Sequence, residues 1–417
     1  MNRRQFLTAL GMTGLGIGLS GFRLWPDEGF WNPCHNEQLP EKLAKHPLVL
    51  QAFEGINPSQ LWDCHAHLIG IGDNQSGIWI NPKLRSIWHP IQNVQFIFYL
   101  NASCADIEDN VDHAFVERLK KIMKEFPAGV KLMLLAFDYH HDEKSNRVLE
   151  HSPFHTPNAY AEKIAKQYPE YFEWIASIHP YRRDAIEALE RAIKNGARAI
   201  KWLPPAMGID PSSKKCDAFY EVMAKHDIPL LSHAGDEHAV DAGDMQRLGN
   251  PLLFRRAMDA GVRVILAHCA SMGSNVDLDK GANANEVANI DLFARLVDDP
   301  QYHGRLFGDV AAITQINRSQ EVFEKIYLHQ EWHDRLLYGS DYPLPGVMPV
   351  FSLQNFVDRN YISQAQAELL SAIRKYNALL FDVLLKRMIR VQGKKLGDAV
   401  FDTRRHFENN RGESQSS

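Results

Sequence analysis

Two histidines one residue apart, His65 and His67, end the apolar stretch LWDCHAHLIG at residues 61–70. Imidazole nitrogens bind divalent metal ions, so two of them on one strand can hold a single ion. The chain contains 19 histidines, and at that frequency roughly one His-x-His pair is expected by chance. The pair alone is therefore a weak motif, and its meaning depends on the rest of the chain.

Four further residues with metal-binding or proton-carrying side chains end apolar runs of the kind that form strands. They are Lys201 in ARAIKWL, His233 in IPLLSH, His268 in VRVILAH and Asp341 in LLYGSD. A single buried histidine is usually a hydrogen-bonded core residue. Four histidines, a lysine and a carboxylate that all end strands indicate a shared metal site instead.

The elements that would position these residues begin near residue 59, where short β-branched runs alternate with amphipathic helical stretches. This alternation predicts βα units and a parallel sheet. Eight units over residues 59–390 predict an α/β fold, a single (β/α)8 TIM barrel with an N-terminal lead-in segment and loop insertions. An open doubly wound sheet is the alternative. The predicted strands span residues 60–67, 130–137, 172–179, 197–203, 229–233, 262–268, 305–310 and 336–341.

Two more segments complete the predicted fold. Residues 91–100, IQNVQFIFYL, have a composition that suits a strand or an apolar helix. We prefer a helix inserted after the first strand, because eight other strands already complete a barrel. Residues 363–388 carry alanines and leucines at helical spacing, which predicts one long helix that closes the domain.

The alternation of side chains along a strand predicts which residues face the barrel interior. His65 and His67 should point to one side, with Asp63 on the same face one step deeper. Cys64 and Ala66 should point to the other side, towards the helices. Active sites of such barrels form at the C-terminal strand ends, where His65 and His67 lie. Asp63, one step deeper on the same face, is a candidate to orient one imidazole.

The order of these residues resembles the amidohydrolase superfamily, and its amidohydrolase 2 branch in particular. The segments DCHAH, HAGDEH, AHCASMG and YGSDYP carry the resemblance over residues 60–390. It implies that His65, His67 and Asp341 bind a buried ion and that His233 is a further ligand. His268 would bind a second ion or act as a catalytic histidine beside the first.

Lys201 has two alternative roles under this resemblance. It would be carboxylated by CO₂ and bridge two metal ions, or it would stay cationic and bind a substrate carboxylate or carbonyl. The site would accordingly hold one or two ions. Neutral imidazoles with a carboxylate suit Zn²⁺ best, with Mn²⁺ or Fe²⁺ as alternatives.

These ligands predict a metal-dependent hydrolase that activates a metal-bound water to cleave an amide, lactone or ester bond of a small molecule. Such an ion lowers the pKa of bound water to about 7. Asp341 would take the proton and pass it to the leaving group, and His268 would stabilise the oxyanion. A non-oxidative decarboxylase on the same scaffold is the alternative enzyme. A non-catalytic exported barrel that binds a metal or ligand is the alternative of another class.

Other polar residues are expected around this site. His179 ends the third strand, and Asp236 and Glu237 follow His233, so all three are candidates to support the ligands or to line the substrate pocket. Asp309 ends the seventh strand and is expected to orient its neighbours. The remaining loop histidines are expected at the surface or the rim: His140, His141, His226, His238 and His333.

Composition argues against two classes of protein. A net charge of −5 offers no basic surface for nucleic acid. No run of 18 apolar residues lies in the body of the chain, so we expect no transmembrane domain there.

The five cysteines are scattered and odd in number, and we expect no disulfide framework.

The N-terminus predicts export. Arg3 and Arg4 precede Phe6 and a mildly apolar, glycine-rich run, which resembles a twin-arginine signal. We expect the bacterial export machinery as a partner and the periplasm as the location; an uncleaved segment would instead anchor the protein to the membrane. The predicted organisation is a signal at 1–25, a lead-in segment at 26–58, the barrel at 59–390 and a polar, peripheral tail at 391–417.

Overall fold

Eight parallel strands form the centre of the molecule. The computed structural model describes residues 26–105, 110–240 and 242–408. The predicted signal at residues 1–25 and the end of the predicted tail lie outside these residues. All eight predicted strands are confirmed. They are β1 Trp62–His67, β2 Lys131–Leu135, β3 Phe172–Ile175, β4 Ile200–Trp202, β5 Leu230–His233, β6 Val264–Ala267, β7 Leu306–Asp309 and β8 Leu336–Leu337.

The strands form two parallel sheets that meet at both edges. One sheet has the order β1-β2-β3 and the other the order β8-β7-β6-β5-β4. At one edge the N–H of Lys201 donates to the carbonyl of Ala176 at 2.7 Å. At the other, the N–H of His67 donates to the carbonyl of Tyr342 at 2.9 Å. The predicted (β/α)8 barrel is therefore confirmed, and its C-terminal strand ends share one rim.

Helices surround the strands. Residues 91–100 lie within a helix, which confirms the inserted helix that we preferred over a strand. Among the described residues, the α-helices α1 to α14 in chain order are Glu41–Ala44, Pro47–Ala52, Pro90–Ser103, Val111–Met123, Asn158–Gln167, Ala185–Lys194, Pro204–Met207, Asp217–Lys225, Arg255–Asp259, Asn289–Val297, Gln320–Leu328, Leu353–Asp358, Gln364–Arg374 and Ala378–Met388.

The single terminal helix predicted over residues 363–388 is wrong. The chain forms α13 and α14 with a break between them. Asn377 has extended backbone angles, and its side chain accepts a hydrogen bond from the N–H of Leu380. Asparagine favours such a cap over the helix interior, and this starts a new helix. Helical spacing of apolar residues continues across the break, so the pattern alone hides it.

An apolar cluster fills the barrel interior, and every strand or its flank contributes to it. Phe407, near the C-terminal end of the described chain, belongs to it and is fully buried. Thr403 ties the same segment to the start of β1, since the N–H of Trp62 donates to its hydroxyl at 2.7 Å. Residues up to 408 thus pack at the N-terminal end of the barrel and are not peripheral, contrary to expectation. The cluster comprises Trp62, Cys64, Met133, Leu135, Ile175, Ala199, Leu231, Ile265, Phe307, Leu337 and Phe407.

A β-bulge in β1 changes which side chains face inwards. The register with β2 shifts between Asp63 and Ala66, so the strict alternation predicted for this strand is wrong. Cys64 joins the interior cluster. Asp63 instead faces the helix layer, where Asp382 of α14 is a charged neighbour. Its Oδ1 accepts hydrogen bonds from the N–H groups of His65 and Ser340.

The lead-in segment is bonded covalently to the insertion helix. Cys34 and Cys104 form a disulfide, so the expectation of no disulfide is wrong for this pair. The two residues are 70 positions apart in the sequence, and no spacing motif announces their contact. Cys64, Cys216 and Cys269 are free and buried. No described helix is long and apolar enough to cross a membrane.

Candidate metal centre

Three imidazoles converge on one carboxylate at the C-terminal rim of the barrel. Nε2 of His67 lies 3.1 Å from Oδ1 of Asp341, and Nε2 of His65 lies 3.5 Å from the same oxygen. Nε2 of His268 lies 3.9 Å from Oδ2. Asp341 is 5% exposed and His65 is 1% exposed. Potential ligand atoms of His65, His67 and Asp341 lie close enough together to hold one ion.

The opposite nitrogens of two of these rings have partners of their own. Nδ1 of His65 lies 2.9 Å from Oδ2 of Asp309, and Nδ1 of His268 lies 3.0 Å from the carbonyl oxygen of Ala311. Oδ1 of Asp309 accepts hydrogen bonds from the N–H groups of His268 and Ala311. Partners on Nδ1 turn Nε2 towards the shared centre, which is how proteins orient metal-binding histidines.

The backbone turns sharply where two of these residues leave their strands. His268 has a φ of 58° and Asp341 a φ of 61°. Non-glycine residues rarely adopt this left-handed region, and those that do are concentrated at functional sites. The side chains that leave these two turns lie 3.9 Å apart, from Nε2 of His268 to Oδ2 of Asp341.

Lys201 and His233 complete the rim. Nζ of Lys201 lies 3.0 Å from Nε2 of His65. Nδ1 of His233 lies 3.3 Å from Oε2 of Glu237, and its Nε2 is buried without a partner among the described residues. The rings of His233 and His268 have centroids 5.5 Å apart. The six residues predicted as metal ligands therefore lie on one rim, with His233 outside the groups whose ligand atoms are close enough to share one ion.

Burial and charge set the protonation of this group. Burial lowers the pKa of Lys201, and it lowers the pKa of His233 to about 3. Burial also lowers the pKa of His268 well below its usual range. Burial would raise the pKa of Asp341, yet the neighbouring histidines hold it well below its usual range. His233 and His268 are thus neutral near an ionised carboxylate, an arrangement that suits a divalent cation.

Comparison with known proteins decides the family. Residues 62–379 match the family model described as amidohydrolase.

The chain belongs to the amidohydrolase family.

Curated protein sequences give no match. Solved structures similar to this amidohydrolase are distant. An uncharacterised TIM-barrel protein from Bordetella bronchiseptica has 15% identity and a TM-score of 0.43, over 69% of this chain and 88% of that one. A 4-oxalomesaconate hydratase from Rhodopseudomonas palustris has 14% identity and a TM-score of 0.37, over 68% and 81%. A 2,6-dihydroxybenzoate decarboxylase with bound 2,6-dihydroxybenzoate has 13% identity and a TM-score of 0.36, over 77% and 97%.

Three other predicted residues of the amidohydrolase lie away from this centre. Asp63 faces the helix layer behind β1, and burial raises its pKa to about 6. Asp236 is partly exposed and lies 3.9 Å from His238. His179 is fully buried, and its Nε2 donates to the carbonyl of Met207 at 2.8 Å. Its Nδ1 accepts from the N–H of Tyr181, so neither nitrogen is free for a substrate.

His179 belongs instead to a separate group of histidines. His140 and His141 pack beside it with exposures of 5% and 6%, so the surface, one of the two locations expected for them, is wrong. His333 is also buried, at 4%. Burial lowers the pKa of His179 to about 3. Histidine is a polar residue, so its position in a loop suggested exposure. Only the packing of the loops in the structure shows that these side chains are buried.

Two residues near the centre were not predicted from the sequence. Tyr99 of α3 donates its hydroxyl hydrogen to the carbonyl of Ala239, and the carboxylates of Glu237 and Asp341 lie in its surroundings. Arg318, in the loop after β7, donates from Nε to the hydroxyl of Ser271 at 3.1 Å. Both come from loop insertions, and no strand-end signal marks either residue.

Proposed function

We propose that this protein is a metal-dependent hydrolase that cleaves an amide, lactone or ester bond of a small molecule. The observation that carries the proposal is the convergence of His65, His67 and Asp341 at the mouth of the barrel, within reach of one ion. Membership of the amidohydrolase family supports an enzyme of this class.

The donor set fits a metal ion. The Nε2 atoms of His65, His67 and His268 all lie near the carboxylate of Asp341. The buried Nε2 of His233 has no partner among the described residues, as a ligand atom without its ion would have none. Nitrogen and carboxylate donors favour Zn²⁺, with Mn²⁺ or Fe²⁺ as alternatives. One ion is the simplest occupancy, and a carboxylated Lys201 would support a second.

The side chains around the ion would move protons and hold the substrate. When bound, the ion supplies Lewis acidity, which polarises a carbonyl group and makes a water molecule acidic near neutral pH. Asp341 is ionised and accepts the proton of the attacking water. His268 is neutral and stands 3.9 Å from Asp341, where it can hold the water or donate to the developing oxyanion.

Decarboxylation is the second candidate reaction, and Arg318 favours it. Its guanidinium donates to neutral oxygens of Ser271, Gln315 and Asn317, and these are its hydrogen-bond partners among the described residues. Burial lowers its pKa to about 10, while Asp341 and Glu237 lie close enough to raise it. A guanidinium whose partners are neutral is suited to bind a substrate carboxylate.

We also propose that the protein is exported through its twin-arginine-type N-terminus. Arg3 and Arg4 before an apolar run support this location. A disulfide between Cys34 and Cys104 is compatible with an oxidising compartment such as the periplasm. Cell fractionation with N-terminal sequencing tests the proposal. A protein recovered only from the cytoplasm with its first 25 residues intact would overturn it.

Metal analysis and a substrate panel test the catalytic proposal. The purified chain should contain close to one or two equivalents of metal after reconstitution. A panel of lactones, N-acyl compounds, esters and carboxylic acids, assayed for hydrolysis and for CO₂ release, should identify the reaction. Asp341→Asn should abolish turnover, because the amide cannot accept the proton. Hydrolysis without CO₂ supports the first candidate, CO₂ release supports the second, and absence of bound metal overturns both.

A further inference from the structure

The loop that follows β5 packs against the insertion helix α3. His233 ends β5, and Glu237 follows it four residues later. Oε2 of Glu237 lies 3.3 Å from Nδ1 of His233, and its Oε1 accepts hydrogen bonds from the N–H groups of Ala239 and Val240. Glu237 is only 5% exposed. Its carboxylate is therefore engaged by the protein on both oxygens. Of the two roles expected from the sequence, these contacts suit support of a ligand better than binding of a substrate.

Helix α3 holds the far end of this loop. The hydroxyl of Tyr99 donates to the carbonyl of Ala239 at 2.8 Å. The side-chain amide of Gln95, one turn earlier, donates to the carbonyl of His238 at 3.0 Å. A path of direct contacts thus leads from Tyr99 through Ala239 and Glu237 to His233.

Helix α3 is itself anchored at its C-terminal end. Cys104 follows the helix and is bonded to Cys34. Asn101 exchanges two hydrogen bonds with Asn32, at 2.9 Å and 3.1 Å. The backbone of Ala102 lies so close to Gly346 that a Cβ at that glycine would stand 2.3 Å from its carbonyl oxygen. Gly346 lies five residues after Asp341, so α3 contacts segments that lead to two sides of the metal centre.

We propose that Glu237 is a positioning residue that fixes the ring of His233 with Nε2 directed at the metal, and that Tyr99 of α3 keeps Glu237 in place. A carboxylate beside Nδ1 keeps the proton on that nitrogen and leaves the Nε2 lone pair for the ion. The Nε2 atom of His233 is buried and has no partner among the described residues, which agrees with a lone pair that is left for the ion. The inference rests on the metal site of the proposed function.

Metal affinity tests the inference without a known substrate. Co²⁺ is the probe, its dissociation constant is measured by competition with a chelator, and its visible absorption reports the ligand geometry. Glu237→Gln should weaken Co²⁺ binding by about 10- to 100-fold and alter the absorption spectrum. Tyr99→Phe should have a smaller effect of the same kind, since it removes only the hydroxyl that fixes the loop. Glu150→Gln and Tyr168→Phe are matched controls and should bind Co²⁺ as the wild type does.

A second background separates positioning from a general loss of structure. In a His233→Ala chain, adding Glu237→Gln should cause no further loss of Co²⁺ affinity, because its route to the metal is gone. Additive losses would show that Glu237 acts elsewhere and would overturn the inference. Wild-type affinity and spectrum in Glu237→Gln would overturn it as well, with the metal site intact. A wild-type chain that binds no Co²⁺ would overturn the proposed function itself.

Discussion

Nδ1 of His65 lies 2.9 Å from Oδ2 of Asp309, and both side chains are buried at the ends of their strands. The second oxygen of Asp309 accepts two backbone hydrogen bonds, from His268 and Ala311. Asp309 therefore joins β1 to the turn after β6, and it fixes two of the candidate metal-binding histidines at once. Burial would raise the pKa of Asp309, but the nearby His65 holds it below its usual range, so the carboxylate stays ionised.

Asp309→Asn should weaken zinc binding by about 10- to 100-fold. The backbone N–H groups will keep the amide oxygen on their side, which places the NH₂ group against Nδ1 of His65. That nitrogen must then accept, so the proton moves to Nε2 and blocks the ligand position. Chelator competition measures the affinity. Asp334→Asn, at an exposed carboxylate, is the control, and equal affinities in the two variants would contradict the role given to Asp309.

Metal removal should lower the stability of the wild-type chain. A ligand that binds only the folded state at 100 times its dissociation constant stabilises it by about 2.7 kcal/mol. Zinc should therefore raise the melting temperature of the metal-free wild type, and a chelator should reverse the change. His67→Ala removes one ligand and should lose most of the shift. His303→Ala, at an exposed histidine, should show the same zinc-induced rise in melting temperature as the wild type. If His67→Ala also shows the full rise, the zinc binds elsewhere.

Local sequence patterns predicted the strands well, because each is a short apolar run and most of these runs end at a polar residue on one rim. The same patterns placed His65, His67 and Asp341 together before any contact was known. The bulge in β1 could not be predicted, because it depends on how β1 pairs with β2. It exchanges the directions of Cys64 and Asp63, and so it removed Asp63 from the predicted site.

The other differences between the sequence-based predictions and the structure come from contacts between segments that are far apart in the sequence. The disulfide between Cys34 and Cys104 and the burial of Phe407 both depend on where terminal segments dock. Tyr99 and Arg318 reach the site from insertions whose sequences carry no motif. Glu237 follows His233 in the chain and was a sequence candidate to support the ligands or to line the pocket, but the sequence does not show which way its side chain turns.

The Cys34–Cys104 disulfide should contribute measurably to stability. It closes a long stretch of chain, and removing a bond of this kind costs about 2–4 kcal/mol. The double variant Cys34→Ser with Cys104→Ser should show that loss in urea unfolding. A dithiol reductant should destabilise the wild type to a similar extent and leave the double variant unchanged. A reductant effect of equal size in both proteins would assign the loss to another cause.

Acid should destabilise the fold through His179. Its pKa is about 3 in the folded protein, because of burial, against about 6.5 in an unfolded chain. Between these values the unfolded state binds the extra proton, so the stability due to this residue is complete above pH 6.5 and falls as the pH drops towards 3. His179→Gln removes this dependence. The stability difference between wild type and variant should narrow by about 1.4 kcal/mol per pH unit below pH 6.

Urea unfolding at pH 7, 6 and 5 measures that difference. His303→Gln, at an exposed histidine, is the control, and its difference from wild type should change less with pH than that of His179→Gln. If the difference for His179→Gln does not change with pH, His179 gains its proton in the folded protein and the prediction is wrong.

Arg318 should determine affinity for substrates that carry a carboxylate. Its Nε is held by Ser271 and one of its Nη atoms by Asn317, so the guanidinium is oriented before a ligand arrives. Arg318→Lys keeps the charge but loses the planar set of donors, and it should raise KM for a carboxylate substrate about tenfold; Arg318→Ala should raise it further. A neutral ester of the same acid should show little change in either variant. Steady-state kinetics on such a matched pair separates binding of the carboxylate from support of the loop after β7. Equal increases in KM for the acid and the ester would show that Arg318 supports the loop and does not bind the carboxylate.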